Sequence, residues 1–323
     1  MPMLKQMGML LLMTCIYLLP ILTAAHAQPQ APLPSWQDTA NKKAIISFVQ
    51  SVSTKGSPDF VPREQRVATF DQDGTILIEK PLPVQYEHIF RFFEEPKPDP
   101  KLALVGRKPG EWANIGSGSL LAYQYMTLPE YSENAIKFVK ENDHPTCRVP
   151  YFDLFYAPML ELIQYLRANK FRVYIVSGSW QIFLRSVAKA KLGLRKSHFI
   201  GTQTGLVDFP ANTFPLRIAG TIDNNLLNLN MGKPKNIQIQ IGEKPILAFG
   251  NSSSDVAMLQ YASTNSHKSL SLWLEHDDAE REYVYPSEIT GEKDWLKISM
   301  KNDFAKVFDK VNGEQVTCGL LPQ

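Results

Sequence analysis

Two hydrophobic periods alternate along this chain, and each change of period marks an element. Residues 35–54 carry Ala44, Ile45, Phe48, Val49 and Val52 at helical spacing, which predicts a helix leading into the first strand. Arg66–Phe70 is a short β-branched and aromatic run that reads as a strand. Residues 80–157 lose this order. They are rich in Pro and aromatic residues, with short helix-like segments at 84–93 and 130–141 and no strand–helix alternation. Order returns at Pro158–Asn169, a helix with Met159, Leu160, Leu162, Ile163 and Leu166 along an apolar face. A strand at Arg172–Val176 follows, then Ser177-Gly178-Ser179 and a helix to about Leu192. The next unit comprises Ile237–Ile241, the strand Pro245–Phe249 and a helix from Ser253 to Tyr261. Leu270–Leu274 reads as a strand, Asp277–Tyr285 as a helix and Trp295–Ser299 as a last strand.

Strands alternating with helices imply βαβ units with right-handed crossovers. The pattern predicts an α/β fold: a Rossmann-like doubly wound, mainly parallel sheet with an inserted small helical cap. The expected division is an N-terminal segment with its lead-in helix at 28–65, an α/β core at 66–79 and 158–323, and the cap at 80–157. Residues 1–27 read as a signal peptide. Lys5 supplies the positive start, Met7–Leu22 the apolar stretch, and Ala25-His26-Ala27 an A-x-A cleavage site. An uncleaved anchor would need about 20 uninterrupted apolar residues, and Pro20 breaks the run. The expectation is cleavage after Ala27, no stable membrane insertion afterwards, and a periplasmic or secreted location.

Composition narrows the function. With 44% hydrophobic and 20% charged residues, the chain is not of the disordered type. Its net charge is +2, and Lys5 is the leader's one charged residue, so the mature chain sits near +1. No basic run longer than Lys42-Lys43 or Arg195-Lys196 stands out, which leaves no electrostatic footprint for nucleic acid. Without the leader, two cysteines remain, Cys147 and Cys318. Whether they pair in an oxidising compartment is open at this level, and so is the oligomeric state.

The most informative stretch is Val67–Leu77, where a strand ends in Asp71-Gln72-Asp73-Gly74-Thr75. Carboxylates at i and i+2 on an extended segment share a side. At the carboxyl end of a parallel strand they can bind a hard cation or divide nucleophilic and acid/base roles; a turn is the plainer alternative. Three further clusters follow strand ends or open helices. Ser177 offers a hydroxyl before a helix start, as a phosphate grip or simply a helix cap. Lys233, in Gly232-Lys233-Pro234-Lys235, offers a cation for phosphate or a solvated surface charge. Gly250-Asn251-Ser252-Ser253-Ser254-Asp255 offers oxygen ligands or a helix cap. The five histidines from His88 to His276 show no metal-ligand spacing, and Arg185 reads as a salt-bridging residue.

Together these segments resemble the haloacid dehalogenase superfamily of hydrolases, and within it the phosphoserine-phosphatase-like branch and a group of exported bacterial proteins. Phe70–Thr75 resembles the first motif, Val176-Ser177-Gly178 the second, Lys233 the third and Gly250–Asp255 the fourth. The resemblance implies an exported phosphomonoester phosphatase. Asp71 would attack phosphorus to form an aspartyl-phosphate, and Asp73 would act as general acid and base. Ser177, Gly178 and Lys233 would hold the phosphoryl oxygens. Mg²⁺ would be held by Asp71, Asp73, Asn251 and Asp255. Many relatives carry Asp where this chain has Asn251, which implies weaker metal binding. Glu79, at the hinge into the cap, is a candidate specificity residue for a substrate amine, or else an exposed hinge carboxylate. The partner implied is a small phosphorylated substrate whose identity is open. Transfer to another acceptor, and a non-catalytic exported binding protein that keeps the fold, are the alternative functions.

Overall fold

The computed structural model of the protein describes residues 32–94, 120, 123–222, 226–287, 289 and 294–318. The expected leader, with Lys5, Cys15 and Ala25-His26-Ala27, lies outside the described residues. So do residues 95–119 and 121–122 of the expected cap, Trp112 among them, and the side chains of Phe92 and Phe93.

The described strands, in chain order, are β1 (Val67–Phe70), β2 (Arg172–Trp180), β3 (Phe199–Thr202), β4 (Thr204–Val207), β5 (Arg217–Ile222), β6 (Leu247–Gly250), β7 (Leu270–Glu275) and β8 (Leu296–Ser299). Six of them form one sheet in the order β3-β2-β1-β6-β7-β8, with every neighbouring pair parallel. The helices are α1 (Ala40–Ser53), α2 (Val84–Glu94), α3 (Leu128–Glu141), α4 (Ala157–Ala168), α5 (Gln181–Leu192), α6 (Gly232–Ile241), α7 (Val256–Ser263) and the single turn α8 (Met300–Asp303). The fold is α/β, with helices on both faces of a parallel sheet.

Strand alternation produces those two faces. Side chains at i and i+2 share a side, so one strand feeds two cores. Ala68 and Phe70 of β1, with Val173 and Ile175 of β2, pack into a cluster with the apolar faces of α1, α4 and α5. Val67, Tyr174 and Val176 pack oppositely, with Ile237 of α6 and Met258 and Leu259 of α7. All four residues of β1 are buried, as a central strand covered on both faces requires.

Local signals set several helix starts. Thr127 and Glu130 form a reciprocal capping box at α3, and Thr39 caps α1 by accepting from the Lys42 N–H. Helices α2 and α3 lie in the segment between β1 and β2. The buried His88 of α2 meets Tyr123, Tyr131, Phe138 and, from α5, Phe183, at ring separations of 5.1–5.9 Å. Those aromatics are a packed core. Burial lowers the His88 pKa to about 4, so its ring is neutral.

Three local expectations need correction. Ser177, Gly178 and Ser179 belong to β2, which runs on to Trp180 through a register shift against β3, and α5 starts only at Gln181. Lys233 lies inside the first turn of α6, not ahead of it. Residues 277–285 form no helix. One turn closes from the Glu282 N–H to the Asp278 carbonyl, and then side chains capture the backbone: Asp278 accepts from the Glu280 and Arg281 N–H groups, and Glu282 from the Tyr283 N–H. Such local bonds compete with helix propagation. Strand β3 and the antiparallel pair β4–β5 had no counterpart in the periodicity.

A disulfide joins Cys147 to Cys318 across 171 residues. Among the described residues, no helix is long and apolar enough to cross a membrane.

Candidate active site

The strand order locates the site. The chain leaves β1 for β2 on one side and later returns to β6 on the other. In open α/β sheets the crevice at the carboxyl ends of such strands receives ligands. Phe70 pairs with Ile175 and with Phe249, so Asp71 lies level with Val176 and Gly250. Its N–H donates to the Phe249 carbonyl at 2.9 Å. Asp71, Ser177 and Asn251 therefore emerge at one end of three neighbouring strands.

Asp71, Lys233 and Asp255 form a buried charge cluster. The Lys233 ammonium, fully buried, donates to Asp71 Oδ1 at 2.6 Å and to Asp255 Oδ1 at 2.5 Å. Asp255 Oδ2 accepts from the backbone N–H groups of Asn251 and Ser252, each at 3.0 Å, and from the Ser252 hydroxyl at 3.1 Å. Both oxygens of Asp255, expected to ligate the metal, are thus committed to the protein, holding Lys233 and the loop after β6. Gly250 makes room for this. A Cβ there would lie 2.4 Å from the Cβ of Asp255. Burial alone would lower the Lys233 pKa, but the charges of Asp255 and Asp71 outweigh it and push it up. Burial and the Asp255 charge push Asp71 up, against the pull of Lys233.

Asp73 has different company. Its Oδ2 accepts from the Ser179 hydroxyl at 2.7 Å and from the Ser177 hydroxyl at 3.4 Å, and its Oδ1 from Gln72 Nε2 at 3.2 Å. Burial raises its pKa, and these hydrogen bonds only partly offset the rise. The paired serines follow from the strand correction above, since residues 177 and 179 of an extended strand share a side.

The turn between the two carboxylates and Glu79 is tightly wound. The Gln72 carbonyl accepts from the N–H groups of Thr75, Ile76 and Leu77 at 2.8–3.1 Å. Gly74 takes φ +74°, and a Cβ on it would lie 2.1 Å from Asn251 Nδ2 and 2.5 Å from Glu79 Oε1. Thr75 donates to Asn251 Oδ1 at 2.8 Å, and Asn251 Nδ2 donates to Glu79 Oε1 at 3.0 Å. Glu79 is half-buried rather than an exposed hinge residue. Burial raises its pKa, and its hydrogen bond from Tyr285 (2.6 Å) opposes this. Behind Tyr285 stands His276, stacked on it at 4.2 Å and bonded to the Gly74 carbonyl (2.7 Å) and to Glu282 (3.0 Å).

The structure thus gathers Asp71, Asp73, Ser177, Lys233, Asn251, Asp255 and Glu79. Gly178 contributes space, because Leu229 packs where its Cβ would be, 2.3 Å away. Arg185 lies elsewhere and donates to the Lys196 carbonyl, and Lys235 is exposed. Sequence reading missed Thr75, Ser179, Tyr285 and His276 as site residues. Strand alternation from Ser177 could have found Ser179. Nothing local marks Tyr285 or His276, which reach the site from beyond β7.

A hard cation such as Mg²⁺ fits this residue set. The site holds four carboxylates, Asp71, Asp73, Glu79 and Asp255, and one buried cation, Lys233. Asp71 Oδ2 accepts no hydrogen bond among the described residues, and neither does the Asp73 carbonyl. No group of three His, Cys, Asp or Glu side chains stands ready for a metal among the described residues. The donors on offer are one carboxylate, one backbone carbonyl and the Asn251 amide oxygen, all suited to Mg²⁺.

Residues 68–260 match the family model for haloacid dehalogenase-like hydrolases, more than half of the chain, and the protein belongs to that family. Among solved structures it is similar to a conserved protein of unknown function from Anaerococcus prevotii DSM 20548, with 15% identity, 74% of this chain and 86% of that one covered, and a TM-score of 0.52. It is also similar to a protein of unknown function from Bordetella pertussis Tohama I (18% identity, 65% and 90% covered, TM-score 0.45) and to a probable phosphoserine phosphatase from Vibrio cholerae (14% identity, 67% and 58% covered, TM-score 0.39). At this identity the first of these likenesses speaks to the fold alone. The curated proteins hold no match to this chain.

Proposed function

We propose that this hydrolase is an exported, Mg²⁺-dependent phosphomonoester phosphatase of the phosphoserine-phosphatase-like branch, acting through an aspartyl-phosphate. One observation carries the reading. Two carboxylates two residues apart have separate surroundings: Asp71 has one oxygen on Lys233 and no hydrogen bond to the other among the described residues, while Asp73 is held by the Ser179 and Ser177 hydroxyls and the Gln72 amide. Divergent environments for a carboxylate pair are what a nucleophile and a general acid need.

One carboxylate oxygen of Asp71 attacks phosphorus as the ester P–O bond breaks, and the leaving alkoxide takes the Asp73 proton. Water then attacks the phosphoaspartate, giving its proton to Asp73, and the P–O bond to Asp71 breaks to release phosphate. Lys233, beside the attacking carboxylate, and the Ser177 hydroxyl hold phosphoryl oxygens whose charge grows in the transition state. Mg²⁺, held by the Asp71 carboxylate, the Asp73 carbonyl and the Asn251 amide, would offset repulsion between carboxylate and phosphate. Asp255 serves here as the anchor of Lys233.

Residues 80–157 are assigned as the cap. Gln85 of α2 supports this: its side-chain oxygen accepts from the Trp180 N–H at the end of β2, at 2.6 Å. Export draws support from the Cys147–Cys318 bond, since disulfides persist mainly in oxidising compartments. The test is hydrolysis of p-nitrophenyl phosphate by residues 28–323, with Mg²⁺ and with EDTA, beside Asp71→Asn. Activity that requires both metal and Asp71 is the expected result. If a folded, Mg²⁺-supplied protein hydrolyses neither this ester nor a panel of natural phosphomonoesters, the reading fails.

A further inference from the structure

Asn251 brings a neutral amide into a place built from charges, and its surroundings are unusually complete. Its Oδ1 accepts from Thr75, and its Nδ2 donates to Glu79 Oε1. A carboxylate only accepts, so Glu79 dictates which end of the amide is nitrogen and which is oxygen. Glu79 is itself fixed, because the same Oε1 accepts from the Tyr285 hydroxyl, and Tyr285 is stacked on a His276 bonded to the Gly74 carbonyl. The Tyr285 hydroxyl oxygen also lies 3.5 Å from Asn251 Nδ2, so the three side chains close on one another. The missing side chain at Gly74 is what lets Asn251 and Glu79 meet.

A carboxylate hydrogen-bonded to an amide N–H draws negative charge onto the amide oxygen. Partners behind a metal ligand are known to raise its basicity in this way. We propose that Glu79 is a positioning residue for the cation site: clamped by Tyr285, it leaves the Asn251 oxygen as the end open to a cation and lends that oxygen the negative charge the amide lacks. The inference rests on the Mg²⁺-dependent reading above. It gives Glu79 a role through Oε1, which two protein donors share, beside the substrate-amine role expected of it.

The test is calorimetric titration of the purified full chain with Mg²⁺ alone, which needs no substrate, with metal-free melting temperatures measured alongside. Glu79→Gln is expected to raise the Kd on the order of tenfold or more. Adding Asn251→Asp to that variant is expected to restore the affinity, because the charge then sits on residue 251. Asn251→Asp alone is expected to gain less, since it sets two carboxylates against each other and one must keep a proton. Tyr285→Phe, which keeps the charge and removes one donor, is expected to weaken binding by a smaller factor, and it carries the test if Glu79→Gln does not fold. A purely structural Glu79 would lower the metal-free melting temperature without this reciprocal pattern. If the wild-type chain binds Mg²⁺ and Glu79→Gln binds it equally well, or Asn251→Asp has the same effect in both backgrounds, the inference is overturned and the phosphatase reading stands. A wild-type chain that binds no Mg²⁺ overturns both.

Discussion

Among single residues, the buried ions decide the most. Asp71→Asn should reduce hydrolysis to background with an unchanged circular dichroism spectrum, because the amide keeps the shape and loses the nucleophile. Asp73→Asn should cost on the order of 10²–10⁴ in kcat for esters with poor leaving groups, and less for p-nitrophenolate, which departs without a proton. Lys233→Met leaves Asp71 and Asp255 buried against each other. Breaking such a pair costs about 3–5 kcal/mol, read by urea unfolding at neutral pH. That loss should shrink in acid as Asp71 takes up a proton. The same logic fixes the sign of the pH dependence. Asp71, Asp73 and Glu79 have folded-state pKa values above their ordinary ones. The folded metal-free protein therefore binds more protons than the unfolded chain, from the ordinary carboxylate range up to the raised values. Stability falls as pH rises through that window and is fully present below it. Mg²⁺ neutralises the same charges, so the rise in Tm it produces should grow from acid to neutral pH. A rise that stays flat in differential scanning fluorimetry would count against a cation at this site. The two aspartates were legible in the sequence because a two-residue spacing at a strand end is a local signal. Tyr285 and His276 were not, because they reach the site only through the fold.

Individual elements explain why the site stays in place. The turn from Asp71 to Leu77 is closed by three N–H groups on one carbonyl and pinned by His276, the residue after β7, on the Gly74 carbonyl. Gly74→Ala places a Cβ in a left-handed backbone position and against Asn251 and Glu79. It should destabilise the protein by about 1–3 kcal/mol in chemical denaturation, and it should weaken Mg²⁺ binding in the same preparation. A loss of stability with metal affinity intact would show that the turn and the cation site are independent. Legibility at this scale followed unbroken apolar content, not length. Helices α1, α4 and α5 each show several apolar residues on one face and were readable from periodicity, as were strands β1 and β7. Strands β3, β4 and β5 each break their apolar run with a glycine, and β4 is only partly buried, so none offers an unbroken pattern to read. Residues 277–285 have a helix-like composition, but Asp278 and Glu282 bond locally to the backbone, and Arg281 donates to the carbonyls of Met300, Lys301 and Phe304. Those contacts lie about twenty residues away, beyond the reach of any local pattern.

In the whole molecule, the parallel sheet was foreseeable from strand–helix alternation, whereas the strand order that puts β1 between β2 and β6 depends on long-range pairing. The ends of the described chain are tied to this core. Trp36 meets Phe304 edge-on at 5.0 Å, and Cys318 is bonded to Cys147. A link across 171 residues removes much of the unfolded chain's freedom, worth about 5 kcal/mol in the chain-entropy account. Cys147→Ser should therefore lower Tm clearly while leaving the charge cluster around Lys233, whose hydrogen bonds do not involve either cysteine, and so Mg²⁺ affinity, largely intact. The bond also ties stability to the compartment in which the chain folds. Cytosolic thiols are kept reduced, so a chain that stays inside the cell would lack this link, whereas an exported one would gain it during folding. The full sequence expressed in a bacterial host should accordingly appear in the periplasmic fraction with its N-terminus at Gln28. After unfolding without reductant it should show no titratable thiol. Recovery from the cytoplasm with the leader uncut and Cys147 and Cys318 both reactive would remove the export reading, yet it would leave the chemistry of Asp71 and Asp73 untouched, because neither cysteine bonds to either aspartate among the described residues.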